Sequence, residues 1–432
     1  MGTGAGATTE PSAGEAQGLA HQTTNLPTTP LAVHQTTYFF KNSAFEFVLL
    51  ASLGRAYYQG ANIGKVLFTI RQIEDGNFDS AYQAMIAAGD EARLLAENSA
   101  DGGHTESARQ AYLWAQSFYD SAIYFADGTG DPMRVAAAWQ MMDDCWLKSI
   151  DLFDPPVEQI SIPYEGVGLR GFYFRGKSAR EKRPLLILVN GSDGSALDMW
   201  MLGAAGATAR GYDCLTFDGP GQGYALWKQQ LTFRPDWEHV VTPVVDFALG
   251  RPGVDPKRIA IQGISQAGYW VPRAVAFEKR IAAAIVDPGV CDVSKSWTAT
   301  LPPPMIELLK AGRKDEFDGN LNKMLDPATK KSVAFRMRPY GVTSYFDAFK
   351  ATMAYNLMDV AGKIECPMLI TEPANEAFWP GQSRQLYDLL SCPKTLIPFS
   401  ASDGAELICE PAAYGLRDLR VFNWLDETLG AI

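Results

Sequence analysis

Eight short apolar runs in the later part of the chain limit its fold more than any other feature of the sequence. From the third run onward they are continuous rather than alternating, and stretches with helical periodicity separate them. Continuous apolar runs are typical of parallel strands that helices cover on both faces. We therefore predict an α/β protein with an open, mostly parallel sheet of eight strands. The predicted strands are residues 157–162, 169–174, 185–189, 214–217, 259–262, 283–286, 368–371 and 395–399.

The chain before Pro156 has a different pattern. Residues 107–125 place apolar side chains at i, i+3 and i+4 spacing, and the following residues to 153 repeat it. No strand-like alternation interrupts residues 37–155, so we predict an all-helical cap domain there and an α/β domain over residues 156–432. Residues 1–36 are rich in Gly, Ala, Thr, Ser and Pro, and we expect them to form a flexible tail.

A second helical stretch interrupts the predicted strands. Residues 291–364 are first Pro-rich and then helical in pattern. Because this insertion follows a predicted parallel strand, we expect it to lie near the carboxyl ends of the strands as part of a lid.

Charge and cysteine content exclude several function classes. The 432 residues include 49 acidic and 38 basic ones, for a formal net charge of −11, which argues against binding to nucleic acids or to anionic membranes. The first residues do not resemble a secretory signal, and no apolar stretch approaches the ~20 residues of a membrane helix. The six cysteines form no CxxC pair. We expect a cytoplasmic protein that binds a small-molecule substrate and needs no metal or cofactor, and a homodimer remains open.

A serine at the end of the fifth predicted strand is the strongest catalytic signal. The strand runs into Gly263-Ile-Ser265-Gln-Ala-Gly268 and then into a helical stretch. This strand–turn–helix context is that of a nucleophile elbow, in which small residues let the backbone turn sharply and expose the serine hydroxyl. The alternative is an ordinary βα turn that happens to contain a serine.

A Gly-rich turn after the third predicted strand suggests an oxyanion hole. The strand leads into Asn190-Gly191-Ser-Asp-Gly, and a backbone N–H there can point at a developing negative charge. We predict Gly191 as one donor and the N–H of Gln266 as the other. The loop at residues 217–223 (FDGPGQG) follows another strand, and we interpret it as structural.

These motifs resemble those of the α/β-hydrolase superfamily. NGSDG, FDGPGQG, GISQAG, the DPGV turn at residues 287–290 and FWPGQS at residues 378–383 carry the resemblance, which runs from about Phe39 to the C-terminus. The chain is most similar to the branch with an N-terminal helical cap. That branch includes 2,6-dihydroxypseudooxynicotine hydrolase and fungal hydrolases that shorten polyketide side chains. The resemblance implies an active site between the sheet and the cap.

The resemblance also assigns the other members of a catalytic triad. It makes Ser265 the nucleophile and places the acid at Glu376, four residues before Pro380. It places the base at position 408, which is isoleucine in this chain. An isoleucine cannot take the proton of a serine hydroxyl, and no histidine follows His239.

Few histidines are available as substitutes. The chain has only His21, His34, His104 and His239, and of these His104 in the cap is the better candidate to face the pocket. The aromatic residues Tyr112, Tyr119, Tyr269 and Trp270 are candidate pocket walls, although each could equally be core.

Three functions fit this pattern. The first is a non-hydrolytic step, such as cyclisation, elimination or isomerisation, on a hydrophobic keto or acyl molecule of secondary metabolism. The second is a serine hydrolase of an ester, or of a C–C bond beside a ketone, with a relocated base or an inactivating substitution at Ile408. The third is a non-catalytic binding protein. We favour the first, because oriented hydrogen bonds can catalyse such steps without a charged nucleophile.

Overall fold

All eight predicted strands form, in a single sheet. The computed structural model describes residues 1–2 and 38–430, so most of the predicted tail lies outside the described residues. The strand ends differ from the predicted ones by at most two residues, except that the fifth strand begins five residues earlier. The strands are β1 (Glu158–Tyr164), β2 (Val167–Phe174), β3 (Arg183–Val189), β4 (Asp213–Phe217), β5 (Val254–Ile264), β6 (Ala283–Asp287), β7 (Met368–Pro373) and β8 (Lys394–Phe399).

The strand order is β1-β2-β4-β3-β5-β6-β7-β8. Strand β2 pairs antiparallel with both β1 and β4, and the remaining five pairs are parallel. Every residue of β3, β4 and β6 is buried, because helices cover both faces of the parallel region. This arrangement is the α/β-hydrolase fold, and it confirms the predicted fold class.

The described residues before the sheet are helical, as predicted. The helices there are α1 (Ser43–Gly54), α2 (Ile63–Ile70), α3 (Phe78–Asp101), α4 (Thr105–Ala126) and α5 (Met133–Ile150). The other helices are α6 (Ala204–Ala209), α7 (Gly223–Trp227), α8 (Glu238–Leu249), α9 (Ala267–Val275), α10 (Ser294–Thr298), α11 (Pro303–Lys310), α12 (Lys314–Met324), α13 (Pro327–Met337), α14 (Tyr345–Thr352), α15 (Gln382–Leu389) and α16 (Tyr414–Leu429). Within the described part of the chain, no helix is both long and apolar enough to cross a membrane.

The N-terminal helical region packs directly on the sheet. Trp146 of α5 is fully buried and packs against Phe172 of β2, with 5.4 Å between the ring centroids. Nearby, the Arg170 guanidinium of β2 donates two hydrogen bonds to the Asp143 carboxylate of α5, at 2.5 and 3.0 Å. Both charged side chains are buried. This ion pair therefore ties α5 to the sheet inside the protein, where the desolvation of each charge must be balanced by its partner.

Helix α4 connects the helical region to the turn that follows β3. The Gln116 side chain of α4 donates a hydrogen bond to the carbonyl oxygen of Leu197 at 3.0 Å.

Helices α10 to α14 form the insertion between β6 and β7. The helical region and the insertion therefore both border the edge of the sheet where the parallel strands end.

Candidate active site

Ser265 lies in a strained turn between β5 and α9. Its φ of 56° is in the left-handed region, which is unfavourable for a residue other than glycine. Its N–H donates to the carbonyl oxygen of Asp287 at 2.6 Å, and its own carbonyl accepts the N–H of Gly268 at 2.8 Å. A Cβ at Gly268 would lie 1.9 Å from the carbonyl oxygen of Pro288. The turn therefore has the geometry of a nucleophile elbow, and it requires glycine at position 268.

The turn after β3 approaches Ser265 closely. A Cβ at Gly191 would lie 2.7 Å from the Cβ of Ser265, so only glycine fits. The N–H of Gly191, however, donates to the side-chain oxygen of Asn190 at 2.7 Å and is not available to a ligand in this conformation. The N–H groups of Ser192 and Gln266 make no hydrogen bond to any described residue. The structure thus moves the predicted donor of this turn from Gly191 to Ser192, because Asn190 has already engaged Gly191.

The FDGPGQG loop holds this turn in place. Gln222 donates from its side chain to the carbonyl oxygens of Asn190 and Gly191, at 2.5 and 2.9 Å. The fully buried carboxylate of Asp218 accepts the N–H groups of Ala196 and Tyr224, at 2.7 and 2.9 Å. The loop that the sequence marks as structural therefore positions the candidate oxyanion hole.

Glu376 lies in the loop after β7, as the spacing predicts. Its carboxylate accepts the N–H of Phe378 at 2.9 Å and that of Trp379. Burial raises the pKa of Glu376, while these two backbone hydrogen bonds act to lower it. No hydrogen bond joins this carboxylate to a side chain among the described residues, so its own loop occupies it.

Ile408 lies beside this loop. A parallel bridge pairs Asn375 with Leu407, and the N–H of Asn375 donates to the carbonyl oxygen of Glu406 at 2.7 Å. Glu376 and Ile408 are the next residues on the two segments. The side chain of Ile408 is buried in the apolar cluster that includes Trp379 and Leu386. The position assigned to the base is therefore dry and apolar.

Cys409 links the Ile408 segment to the elbow. Its sulfur donates to the carbonyl oxygen of Asp287 at 3.5 Å, which is the same oxygen that accepts the N–H of Ser265. The carbonyl oxygen of Asp287 thus connects Cys409, the residue after Ile408, to the backbone of Ser265.

A buried group of charges lies on the other side of Asp287. The Asp287 carboxylate accepts the Thr371 hydroxyl at 2.8 Å and lies 3.7 Å from the guanidinium of Arg417. Glu410 is fully buried beside it. Burial and the neighbouring charge of Asp287 raise the pKa of Glu410 well above its usual range. Burial raises the pKa of Asp287 as well, while the charge of Arg417 acts to lower it.

The two histidines among the described residues lie away from Ser265. His239 is exposed and lies 3.7 Å from Asp236 on the outside of α8. His104 is exposed at the N-terminal end of α4. Tyr124, near the other end of α4, is close enough to Asp193 for that carboxylate to help raise the pKa of Tyr124. At 1.5 Å per residue, His104 is ~30 Å from Tyr124 along the helix, so it does not reach the elbow.

The four aromatic residues predicted as pocket walls are packed inside the protein. Tyr119 donates to Asp90 at 2.7 Å, and Tyr112 lies beneath Lys148, whose nitrogen is 5.5 Å from the ring centroid. Tyr269 donates to the carbonyl oxygen of Pro235 at 2.9 Å, and Trp270 stacks on Trp237 at 4.5 Å. All four are almost completely inaccessible to solvent, so none of them borders an open cleft.

Tyr340, a residue that the sequence does not single out, packs towards the elbow helix α9 through Phe233. It belongs to the short turn Arg338–Tyr340 that follows α13 in the insertion. Its ring packs against Phe233 at 5.1 Å, and Phe233 packs against Trp270 of α9 at 5.0 Å. The aromatic and basic run FRMRPY at residues 335–340 was the available signal, but it does not reveal which residue turns inward.

No metal site emerges in the described part of the chain. It contains no group of three or more His, Cys, Asp or Glu side chains that could hold an ion.

Curated proteins of similar sequence are fungal hydrolases. Hydrolase LUC6 from Fusarium sp is 31% identical over 414 residues, covering 90% of this chain and 98% of that protein. Hydrolyase poxO from Penicillium oxalicum is 30% identical over 416 residues, with 90% and 98% covered. The 20-hydroxy-prefusarin hydrolase FUS2 from Gibberella moniliformis is 30% identical over 412 residues, with 90% and 97% covered. No family model matches the chain.

Solved structures share the fold at lower identity. The 2,6-dihydroxy-pseudo-oxynicotine hydrolase superposes with a TM-score of 0.68 at 19% identity, over 87% of this chain and 95% of that one. AbyA5 superposes with a TM-score of 0.63 at 16% identity, over 90% and 94% of the two chains. At these identities the likeness is one of fold.

Proposed function

The chain belongs to the α/β-hydrolase superfamily, and we propose that it catalyses a non-hydrolytic step on a hydrophobic keto or acyl small molecule of secondary metabolism. The step is a cyclisation, elimination or isomerisation. The observation that carries this proposal is Ile408, a buried apolar side chain beside the acid loop at the position of the catalytic base.

Without a base, Ser265 is a weak nucleophile. A serine hydroxyl attacks a carbonyl only when a neighbouring group takes its proton. Glu376 accepts two N–H groups of its own loop, and both described histidines are on the outer surface. Loss of one triad member leaves only a residual enhancement of roughly 10³–10⁴-fold from binding and the oxyanion hole. Attack by Ser265 is therefore a poor basis for catalysis in this chain.

The hydrogen-bond donors of the site remain in place. The unengaged N–H groups of Ser192 and Gln266 are the donors that we assign to a substrate oxygen. Gln266 also immediately precedes α9, whose N-terminus favours negative charge. Such fixed donors polarise a carbonyl group and stabilise an enolate-like transition state without covalent attack. The names of the relatives also include both hydrolase and hydrolyase, and the second word denotes addition or removal of water.

A serine hydrolase with its base elsewhere is the second candidate. The intact elbow favours it, because Ser265 keeps its strained conformation although nothing in the proposed reaction needs a nucleophile.

Labelling by a fluorophosphonate probe separates these two functions. In a functional triad the base takes the serine proton, the Ser Oγ–P bond forms and fluoride leaves. We expect negligible labelling of the natural chain and rapid labelling of Ile408→His, with none in the double variant Ser265→Ala/Ile408→His. Leu407→His is the matched control, because Leu407 is adjacent in the chain but only half-buried, whereas Ile408 is buried. It should label no faster than the natural chain.

The other outcomes are equally clear. Rapid labelling of the natural chain would establish the hydrolase. If Ile408→His labels no faster than Leu407→His, position 408 does not face Ser265, and the argument from Ile408 fails.

A further inference from the structure

The O–H of Tyr340 donates to no acceptor among the described residues. Tyr340 is only 9% exposed, so its hydroxyl is almost completely removed from solvent. Buried hydroxyl groups normally find a partner. A buried O–H without an acceptor beside a candidate active site therefore indicates a group that bonds to a ligand.

Two aromatic residues hold Tyr340 over the elbow helix. Its ring packs against Phe233 at 5.1 Å and against Tyr355 at 5.7 Å. These rings in turn pack against Trp270 at 5.0 Å and Tyr269 at 5.4 Å, both in the first turn of α9. Tyr340 is thus fixed above the end of α9 that follows Ser265.

The side chain of Gln266 is the polar group next to Tyr340. Its amide nitrogen is also buried and bonds to no other described residue. Burial raises the pKa of Tyr340, and a hydrogen bond from the Gln266 side chain to the phenol oxygen acts to lower it. The nearby charge of Asp193 acts to raise this pKa, and that of Arg336 acts to lower it. The backbone N–H of Gln266 is one of the two donors assigned to the oxyanion hole. The phenol and the backbone donors therefore border the same space.

The charges at this site are also favourable for an anion. The Arg336 guanidinium lies 5.1 Å from the ring centroid of Phe378, in the Glu376 loop, and forms no ion pair within the described residues. The Glu376 carboxylate is occupied by its own loop. The site thus offers several donors and one cation without an ion pair among the described residues, while the exposed carboxylate of Asp193 accepts the Ser192 hydroxyl.

We propose that Tyr340 is a catalytic hydrogen-bond donor that, with the N–H groups of Ser192 and Gln266, binds the oxygen of an enolisable ketone or β-dicarbonyl substrate. The assignment of a reaction to this group rests on the proposed function. The phenol O–H donates to the substrate oxygen as that oxygen gains negative charge, and Arg336 adds a compensating positive charge at the mouth of the site. A hydrogen bond to an ionised oxygen is stronger than one to a neutral oxygen, so this contact favours the enolate over the ketone.

The test uses 4-nitrophenol as a stand-in for an enolate. Its anion absorbs visible light, so binding of the phenol and the phenolate can be titrated separately on either side of its pKa. We expect the natural protein to prefer the phenolate, and Tyr340→Phe to weaken phenolate binding roughly 10- to 100-fold with little effect on the neutral phenol. Tyr345→Phe, the same change in the insertion but within a different apolar cluster, should bind like the natural protein.

A melting curve separates catalysis from structure. Tyr340→Phe should melt at the same temperature as the natural protein or higher, because a buried O–H without an acceptor does not stabilise the fold. A fall of several degrees would show a structural bond and overturn the proposal. Equal phenolate binding by both proteins, or no phenolate preference in the natural one, would overturn it as well. Dye binding needs no nucleophile, so these results are independent of the fluorophosphonate outcome.

Discussion

Asn375 pairs with Leu407 in a parallel bridge, and Glu376 and Ile408 are the residues that follow on the two segments. The two positions that the resemblance assigns to an acid and a base therefore lie on neighbouring segments, although an isoleucine cannot act as a base. Backbone hydrogen bonds maintain this arrangement, since Asn375 donates to Glu406 and the Glu376 carboxylate accepts from its own loop. Substitutions at position 408 should consequently change the chemistry of the site with little change in its backbone.

The close contact between Gly191 and Ser265 predicts a steric effect. In Gly191→Ala the new methyl group would lie 2.7 Å from the Cβ of Ser265. We expect a loss of about 1–3 kcal/mol in the free energy of unfolding, measured by urea denaturation. Fluorophosphonate labelling in the Ile408→His background should also fall. Gly319→Ala, where a Cβ meets nothing within 4 Å, should be neutral or stabilising. Equal stability of the two alanine variants would contradict the packing.

Gln222 should affect the oxyanion turn without contacting the substrate. Gln222→Leu leaves the buried carbonyl oxygens of Asn190 and Gly191 without their partner. We expect about 2–4 kcal/mol of destabilisation in urea, and faster amide hydrogen exchange at residues 190–195. Gln385→Leu, at an exposed position on α15, should change neither quantity. Unchanged amide hydrogen exchange at residues 190–195 in the Gln222 variant would show that this turn is stable without the Gln222 side chain.

The buried ion pair between Asp143 and Arg170 predicts a strong dependence on both partners. Asp143→Asn leaves the Arg170 charge buried and uncompensated, and we expect it to cost about 3–5 kcal/mol. The double change Asp143→Leu/Arg170→Met should recover much of this loss. Glu307→Gln, in an exposed pair with Lys310, should cost less than about 1 kcal/mol. If the double variant is as unstable as the single one, packing rather than charge explains the effect.

Glu410 predicts a pH-dependent stability. Its pKa is raised in the folded state by burial and by Asp287, so the folded protein holds a proton that the unfolded chain releases near pH 4.3. The stabilising contribution of Glu410 is fully present below that pH and is lost as the pH rises through the folded-state pKa. Glu410→Gln should therefore gain melting temperature relative to the natural protein between pH 5 and pH 9. Glu365→Gln, an exposed carboxylate, should track the natural protein. If the melting temperatures of Glu410→Gln and of the natural protein change with pH in the same way, the pKa of Glu410 is not raised in the folded state.

The strands were predictable because their environment is simple. A parallel strand such as β3 is buried along its whole length, so its apolar run is visible in the sequence without knowledge of its neighbours. The loops that contain Ser265 and Glu376 were predictable for a related reason, since each follows the end of a strand. Their roles in a triad come from the resemblance and stay a prediction.

The rest of the site depends on contacts that residue order does not encode. Whether the N–H of Gly191 is available depends on the side-chain rotamer of Asn190. Helical spacing identifies Tyr112 and Tyr119 as apolar-face residues, but not what that face packs against. Tyr340 lies far from Ser265 in the sequence, and only the fold of the insertion brings it near α9. The packing of these side chains therefore had to come from the structure.

The carbonyl oxygen of Asp287 accepts both the Ser265 N–H and the Cys409 thiol, so the residue after position 408 is anchored without the side chain at 408. The residue before it, Leu407, is anchored by its bridge to Asn375. A saturation library at this one codon would therefore present acids, amines, thiols and imidazole from one common backbone position. Such a series of variants would differ only in one functional group, so the contribution of that group to different reactions could be compared within a single protein.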